Sequence, residues 1–294
     1  MTGTTYAMGT PIEGFGGVGD GTSDSSIVFQ AAIAALQARG GGTLLVPDGC
    51  YGLKTTLQVP PGVSLQLSPG ATIMALPDFK DEIIVQIGEE DKDWPRNQYF
   101  IGGKIDGNKQ PLIGLRIPCG LGITVENLVV NNALKTGIEM GAERCHEICL
   151  SKVRVLVDHD TKALPDSKGL HFIHAHDSVA RDVVVTGYAI CVWNSASSNN
   201  FHMVHVWNYD TNVTLRTCFH DEGNNNSYLQ CYGDGPTVAP GEIGYGWYLE
   251  GPYTRIVSSQ LYASHWTEPN TMIGIYVAPE AKAPTFIANH FLVC

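Results

Sequence analysis

The residues best suited to chemistry in this chain are Arg116, Glu139 and His171. A carboxylate between a guanidinium and an imidazole is held ionised by its cationic neighbour, which fits it to act as nucleophile or base. His171 supplies a second proton-transfer group. A second set joins Arg216 and Glu250 to three rings, Trp193, Tyr248 and Tyr276, whose flat apolar faces suit ligand stacking. Further carboxylates lie in three long connecting segments: Asp158, Asp160 and Asp166 with His159 in 157–168, Asp234 and Glu242 in 233–245, and Glu268 with His265 and Trp266 in 264–273. These residues are scattered over more than half of the chain. Only a fold that stacks distant segments can make a site of them.

Such a fold is written in the repeats. The segment 137–155, GIEMGAERCHEICLSKVRV, holds two short alternating runs around a polar corner, each with one apolar face. Neither face can be buried within the unit, so the unit must stack on copies of itself. Comparable first runs open at Gly114, Gly169, Ala189, Asn212, Gly246 and Gly274, each followed by a second run such as ITVENLVV or SVARDVVV. The separation within a unit hardly varies, while the spacing between units does, so insertions collect in one return loop. That pattern predicts an all-β, right-handed parallel β-helix rather than a sandwich of hairpins.

Stacking fixes which side chains can meet, because equivalent positions on successive rungs lie about 4.8 Å apart. Counting from each opening gives one outward row of Arg116, Glu139, His171, Cys191, Thr214, Tyr248 and Tyr276. A second row holds Pro118, Gly141, Ile173, Trp193, Arg216, Glu250 and Ala278. Ionisable groups beside aromatic ones are what recognition of a sugar needs: rings to stack on and charges to fix orientation. Glu139 and Glu250 fall four rungs apart, about 19 Å, too far for the two-carboxylate chemistry of glycoside hydrolysis. A hydrolytic pair is therefore expected to join a rung carboxylate to a loop carboxylate, Glu139 with Asp160 or Asp166. In a lyase, Arg116 would neutralise a uronate while His171 or a Tyr removes the proton.

Composition removes several classes. The 294 residues carry a net charge of −11 and no basic run, which argues against a nucleic-acid partner. No apolar window reaches the ~18 residues of a membrane span. The first ten residues show no signal-peptide pattern. Eight cysteines lack disulfide or CxxC spacing and read as buried free thiols, with Cys191 pointing outward by alternation. His174, His176 and Asp177, and Asp158 with Asp160, show no repeated ligand spacing. No metal or other cofactor is expected, Ca²⁺ being the ion that acidic loops would take. Residues 1–42 read as a cap segment with a helix over 25–38 started by Asp24, and 43–294 as one elongated β-helix. Gly14, Gly16 and Gly19 imitate a dinucleotide fingerprint, but no strand precedes them. The apolar last strand, 286–293, predicts association into a homo-oligomer.

The segment GFGGVGDGTSDSSIVFQAAIAAL, followed by GGGTLLVPDGCYGL, resembles the opening of pectate-lyase-superfamily β-helix proteins. The resemblance covers about 15–53, and IGGKIDGN at 101–108 resembles a rung common in that group. The group includes phage tailspike depolymerases, bacterial polysaccharide hydrolases and lyases, and the catalytic modules of alginate epimerases. Membership implies a polysaccharide substrate, an extracellular or virion-associated place and, for a spike, a trimer. It transfers no catalytic residue: Asn-Thr-Asp, Asp-Asp and Gly-His-Gly rungs like those of polygalacturonases are missing. Residues 141–144 read GAER where the epimerases carry Asp-Pro-His-Glu. The expected function is a depolymerase that cleaves glycosidic bonds by hydrolysis. A lyase or epimerase on a uronate polymer, and a non-catalytic carbohydrate-binding spike, are the alternatives.

Overall fold

The computed structural model describes residues 9–89, 96–142, 144–209, 214–239, 241–263 and 271–293. His265, Trp266 and Glu268 lie outside them, as does Cys294. The strands pair in parallel ladders, rung upon rung, as a right-handed parallel β-helix. One ladder forms a nine-stranded sheet and matters most here. Its strands are β1 Leu57–Val59, β2 Ile83–Ile87, β3 Ile113–Ile117, β4 Thr136–Met140, β5 Lys168–Phe172, β6 Ile190–Asn194, β7 Thr217–Asp221, β8 Gly244–Leu249 and β9 Met272–Val277. A twenty-stranded sheet forms the other walls, with a three-stranded strip at one corner.

Alternation fills the interior. Leu115, Ile138, Leu170, Val192, Phe219 and Trp247 stack inward in register, all without exposed surface. Phe219 and Trp247 lie face to face at 4.8 Å between ring centroids, an arrangement that adds to the area they bury. The neighbouring inward row reads Ile117, Met140 and Phe172, then Asn194 and Asp221, then Leu249. Two polar side chains thus replace core residues in the middle of the stack.

A second inward row opens each rung with a small residue. A Cβ on Gly169 would lie 2.1 Å from Cγ1 of Val185. Register places Cys191 beside Gly169 and Cys218 beside Cys191. Cys191 is therefore buried, not outward: it occupies a glycine position, two residues from where the opening at Ala189 put it. The seven described cysteines are all free. Gly169→Ala is expected to lower stability by about 3 kcal/mol, read as a shifted urea midpoint, because the methyl overlaps a packed valine.

The N-terminal end is closed by helix α1, Ser26–Gln37, one residue shorter at each end than expected. Phe29, Ala32, Ile33 and Leu36 cover the first rungs, and Asp24 accepts the Ser26 N–H at 3.0 Å. Pairing starts ahead of residue 42, since Thr10–Pro11 and Asp20–Asp24 already join the ladder. At the other end Phe286, Ile287, Phe291 and Leu292 are exposed. No helix among the described residues is long and apolar enough to cross a membrane.

Candidate functional site

The outward face of the nine-stranded sheet carries one unbroken row: Gln58, Gln86, Arg116, Glu139, His171, Trp193, His220, Tyr248 and Tyr276. From Arg116 onward each side chain meets the next. Arg116 Nε lies 3.0 Å from Glu139 Oε1, and His171 Nδ1 is 3.6 Å from Glu139 Oε2, longer than an ordinary hydrogen bond. Burial alone would raise the Glu139 carboxyl, but the adjoining imidazole and guanidinium outweigh it and hold the group below its ordinary value. His171 meets Trp193 at 5.7 Å between ring centroids, and Trp193 stacks on His220 at 4.7 Å. Tyr248 packs on His220 at 4.9 Å and stacks on Tyr276 at 4.8 Å. Lys168 Nζ sits 4.7 Å from the Trp193 ring centroid, a cation–π contact on one edge of the row.

The row differs from the sequence expectation at its middle. Trp193 lies beside His171, in the place expected for Cys191, and His220 takes the place expected for Thr214. The rung expected to open at Asn212 is instead β7, which starts at Thr217; Asn212 itself lies outside the described residues. Arg216 consequently precedes its strand and does not adjoin Glu250. Its guanidinium donates to the carbonyl of Pro165, in the return loop ahead of β5.

Glu250 finds a different partner. It follows β8 as Glu222 follows β7, so the two stand on adjacent rungs with His220 between them. His220 Nε2 is 3.5 Å from Glu222 Oε1 and 3.4 Å from Glu250 Oε2. One ligating atom from each of the three falls within 4.8 Å of the others. The Ser195 hydroxyl donates to Glu222 Oε2 at 2.6 Å and orients it. Burial, and after it the Glu250 charge, push the Tyr248 hydroxyl up. One imidazole and two carboxylates can also hold a divalent cation. His220 and Glu222 were missed in the sequence, although Trp193, His220, Tyr248 and Tyr276 recur at nearly constant separation.

Beneath this cluster Asp221 is fully buried in a polar network. Asn194 Nδ2 and Asn226 Nδ2 donate to its Oδ1 at 2.9 and 2.8 Å, the Gly223 N–H does so at 3.3 Å, and Thr254 Oγ1 donates to Oδ2 at 2.7 Å. This network fixes the backbone between His220 and Glu222.

The loop carboxylates have partners of their own. Asp160 is paired with Lys109 at 3.0 Å and also accepts from Thr161, while Asp158 accepts from Asn131 and Asn132. Asp166 is exposed, and only its carbonyl contacts Lys168. Asp234 lies 3.1 Å from His205 on the twenty-stranded sheet. Asp177 contacts His146 at 3.3 Å.

No family model matches the chain. It is 30% identical over 148 residues to mannuronan C5-epimerase AlgE4 of Azotobacter vinelandii, a stretch that is 44% of this chain and 27% of that protein. The chain thus spans about a quarter of that relative's length. Among solved structures, the surface adhesin PfbA of Streptococcus pneumoniae superposes with a TM-score of 0.67, at 13% identity, over 96% of this chain and 90% of that one. The gp42 tailspike of Acinetobacter phage vb_AbaP_AS12 gives 0.65 at 12% identity, over 96% of this chain and 58% of that one. Likeness at this level establishes the shared fold, the parallel β-helix that the N-terminal segment implied.

Proposed function

We propose that this chain is a polysaccharide depolymerase that hydrolyses a glycan lying along the outward row from Arg116 to Tyr276. The observation that carries the reading is the Glu222 and Glu250 pair, carboxylates on adjacent rungs within 4.8 Å, with Trp193 and Tyr248 on either side of His220. Six rung steps separate Arg116 from Tyr276, about 29 Å along the outward face. Retaining glycosidases hold their carboxyls about 5–5.5 Å apart, and inverting ones about 6.5–9.5 Å to admit a water. The close pair fits retention. Glu222, oriented by Ser195, attacks the anomeric carbon as the bond to the leaving oxygen breaks, and Glu250 gives that oxygen its proton. Glu250 then takes a proton from water, whose oxygen displaces Glu222 and closes the cycle. The rings bind sugar faces, and the charged end at Arg116, Glu139 and His171 orients the polymer.

A second reading is favoured by that charged end and by the partial identity to a mannuronan epimerase. In it Arg116 neutralises a uronate, and His171 and Glu139 exchange the C5 proton, in a lyase or epimerase reaction. Incubation with capsular, plant and uronate polysaccharides separates the two. New reducing ends without ultraviolet absorbance from unsaturated product are the expected result. Unsaturated ends, or altered uronate composition, would move the reaction to Glu139 and His171. Binding with no product would make the chain a binding module.

We further propose a homotrimer working outside the cell or on a virion, the arrangement that the resemblance to spike proteins suggests, with the exposed Phe286, Ile287, Phe291 and Leu292 as apolar surface available for contact. Light scattering at micromolar concentration is expected to give three times the chain mass, and the mass of a single chain would count against it.

A further inference from the structure

We infer that the chain carries a second carbohydrate-binding site, a cleft on the twenty-stranded sheet that shares no residue with the row from Arg116 to Tyr276. The cleft encloses about 460 Å³, within the range of small-ligand sites. Two ladder rows build it: Arg154, Val184 and His205, and beside them Leu156, Thr186 and Trp207. Asp158 and His159 of the return loop, with Tyr209, complete the wall.

Its chemistry is that of a pyranose site. Trp207 packs edge-on against Tyr209 at 4.5 Å, and Tyr209 meets His159 at 6.0 Å. His205 stacks on Tyr232 at 4.6 Å, with Nε2 3.1 Å from Asp234. A ring with an apolar C–H face and hydroxyl edges uses both kinds of group, flat rings and fixed polar atoms. The floor supplies the second observation. Thr186, 2% exposed between Leu156 and Trp207, has a hydroxyl with no hydrogen-bond partner among the described residues. A buried hydroxyl left unpaired is costly, and a ligand that opens the floor slightly and offers it a hydroxyl would satisfy it. Nucleic acid fits poorly against a chain of net charge −11. A glycan anchored here while another stretch of it occupies the outward row would raise the local concentration of cleavable bonds. Only the choice of a glycan as ligand leans on the depolymerase reading.

The test is affinity electrophoresis in gels containing mannuronan, polygalacturonate, xylan or dextran. At least one polymer is expected to retard the wild type. Trp207→Ala should weaken that retardation about 5- to 20-fold. Thr186→Val, which keeps the shape of the floor, should weaken it about 3- to 10-fold. The double variant Trp193→Ala, Glu250→Gln should still be retarded. No retardation by any of the four, wild-type affinity in both cleft variants, or complete loss in the double variant overturns the second site. The depolymerase reading is judged separately, on reducing ends. Release without any effect of Trp207→Ala sinks the cleft and spares that reading, and retardation dependent on Trp207 without release does the reverse.

Discussion

Glu250→Gln is expected to lower kcat for glycosidic cleavage by about 10²–10⁴-fold while glycan binding survives. The amide keeps the size of the side chain and its place beside His220, but it cannot deliver a proton to the leaving oxygen. The loss should shrink on substrates whose leaving group needs no protonation, such as activated aryl glycosides. Glu222→Gln should show no such recovery, since the attacking carboxylate is needed whatever departs. Trp193→Ala should behave differently again, raising KM with little change in kcat, because a stacked ring binds ground and transition states alike. Glu139→Gln is expected to cost less than about tenfold, as it disturbs the charged end of the row and not the pair. If Glu139→Gln abolishes turnover while Glu250→Gln retains it, the reaction belongs to Arg116, Glu139 and His171.

The fold was legible because burial on one side of each short strand forces alternation, and stacking forces its repetition. Arg116, Glu139, His171, Tyr248 and Tyr276 fall on one row as counted from Gly114, Gly137, Gly169, Gly246 and Gly274. The count failed on the two rungs where cysteine replaces glycine. With no glycine to mark Cys191 and Cys218, the openings at Ala189 and Asn212 fell short of the true register. Those rungs also break the rule that inward means apolar. Asn194 and Asp221 point inward, so a stretch such as FHDE offers no clean alternation. Glu139 and Glu250 do stand four rungs apart. The long return loops drew the search for a second carboxylate, whereas Glu222 and Glu250 each stand directly after a strand, β7 and β8, on adjacent rungs.

Asp221 carries the largest expected effect on stability. Asp221→Ala should cost about 4 kcal/mol, since the amides of Asn194 and Asn226, the Gly223 N–H and the Thr254 hydroxyl all lose their acceptor inside the core. At about pH 4, where the wild-type carboxyl is protonated, Asp221→Asn should cost only about 1 kcal/mol: its carbonyl oxygen keeps three of the donors, and its amide can donate to Thr254 Oγ1, whose hydroxyl turns away. The two variants also separate packing from charge. Burial raises the Asp221 carboxyl from 3.8 to about 6, against the opposing pull of the Thr254, Asn194, Asn226 and Gly223 hydrogen bonds. A carboxyl that binds its proton more tightly when folded stabilises the protein fully below its unfolded value, and that contribution disappears as pH rises through the folded one. Between about pH 4 and about pH 7 the wild type should therefore lose roughly 2.5 kcal/mol relative to Asp221→Asn, read from urea midpoints. Parallel pH profiles for the two proteins would show that Asp221 does not titrate in this range. Because the same network sets the backbone between His220 and Glu222, Asp221→Ala should also depress turnover under conditions where the variant is still folded, whereas Asp221→Asn should keep most of it. Full activity in folded Asp221→Ala would mean that the carboxylate pair is positioned without help from the core.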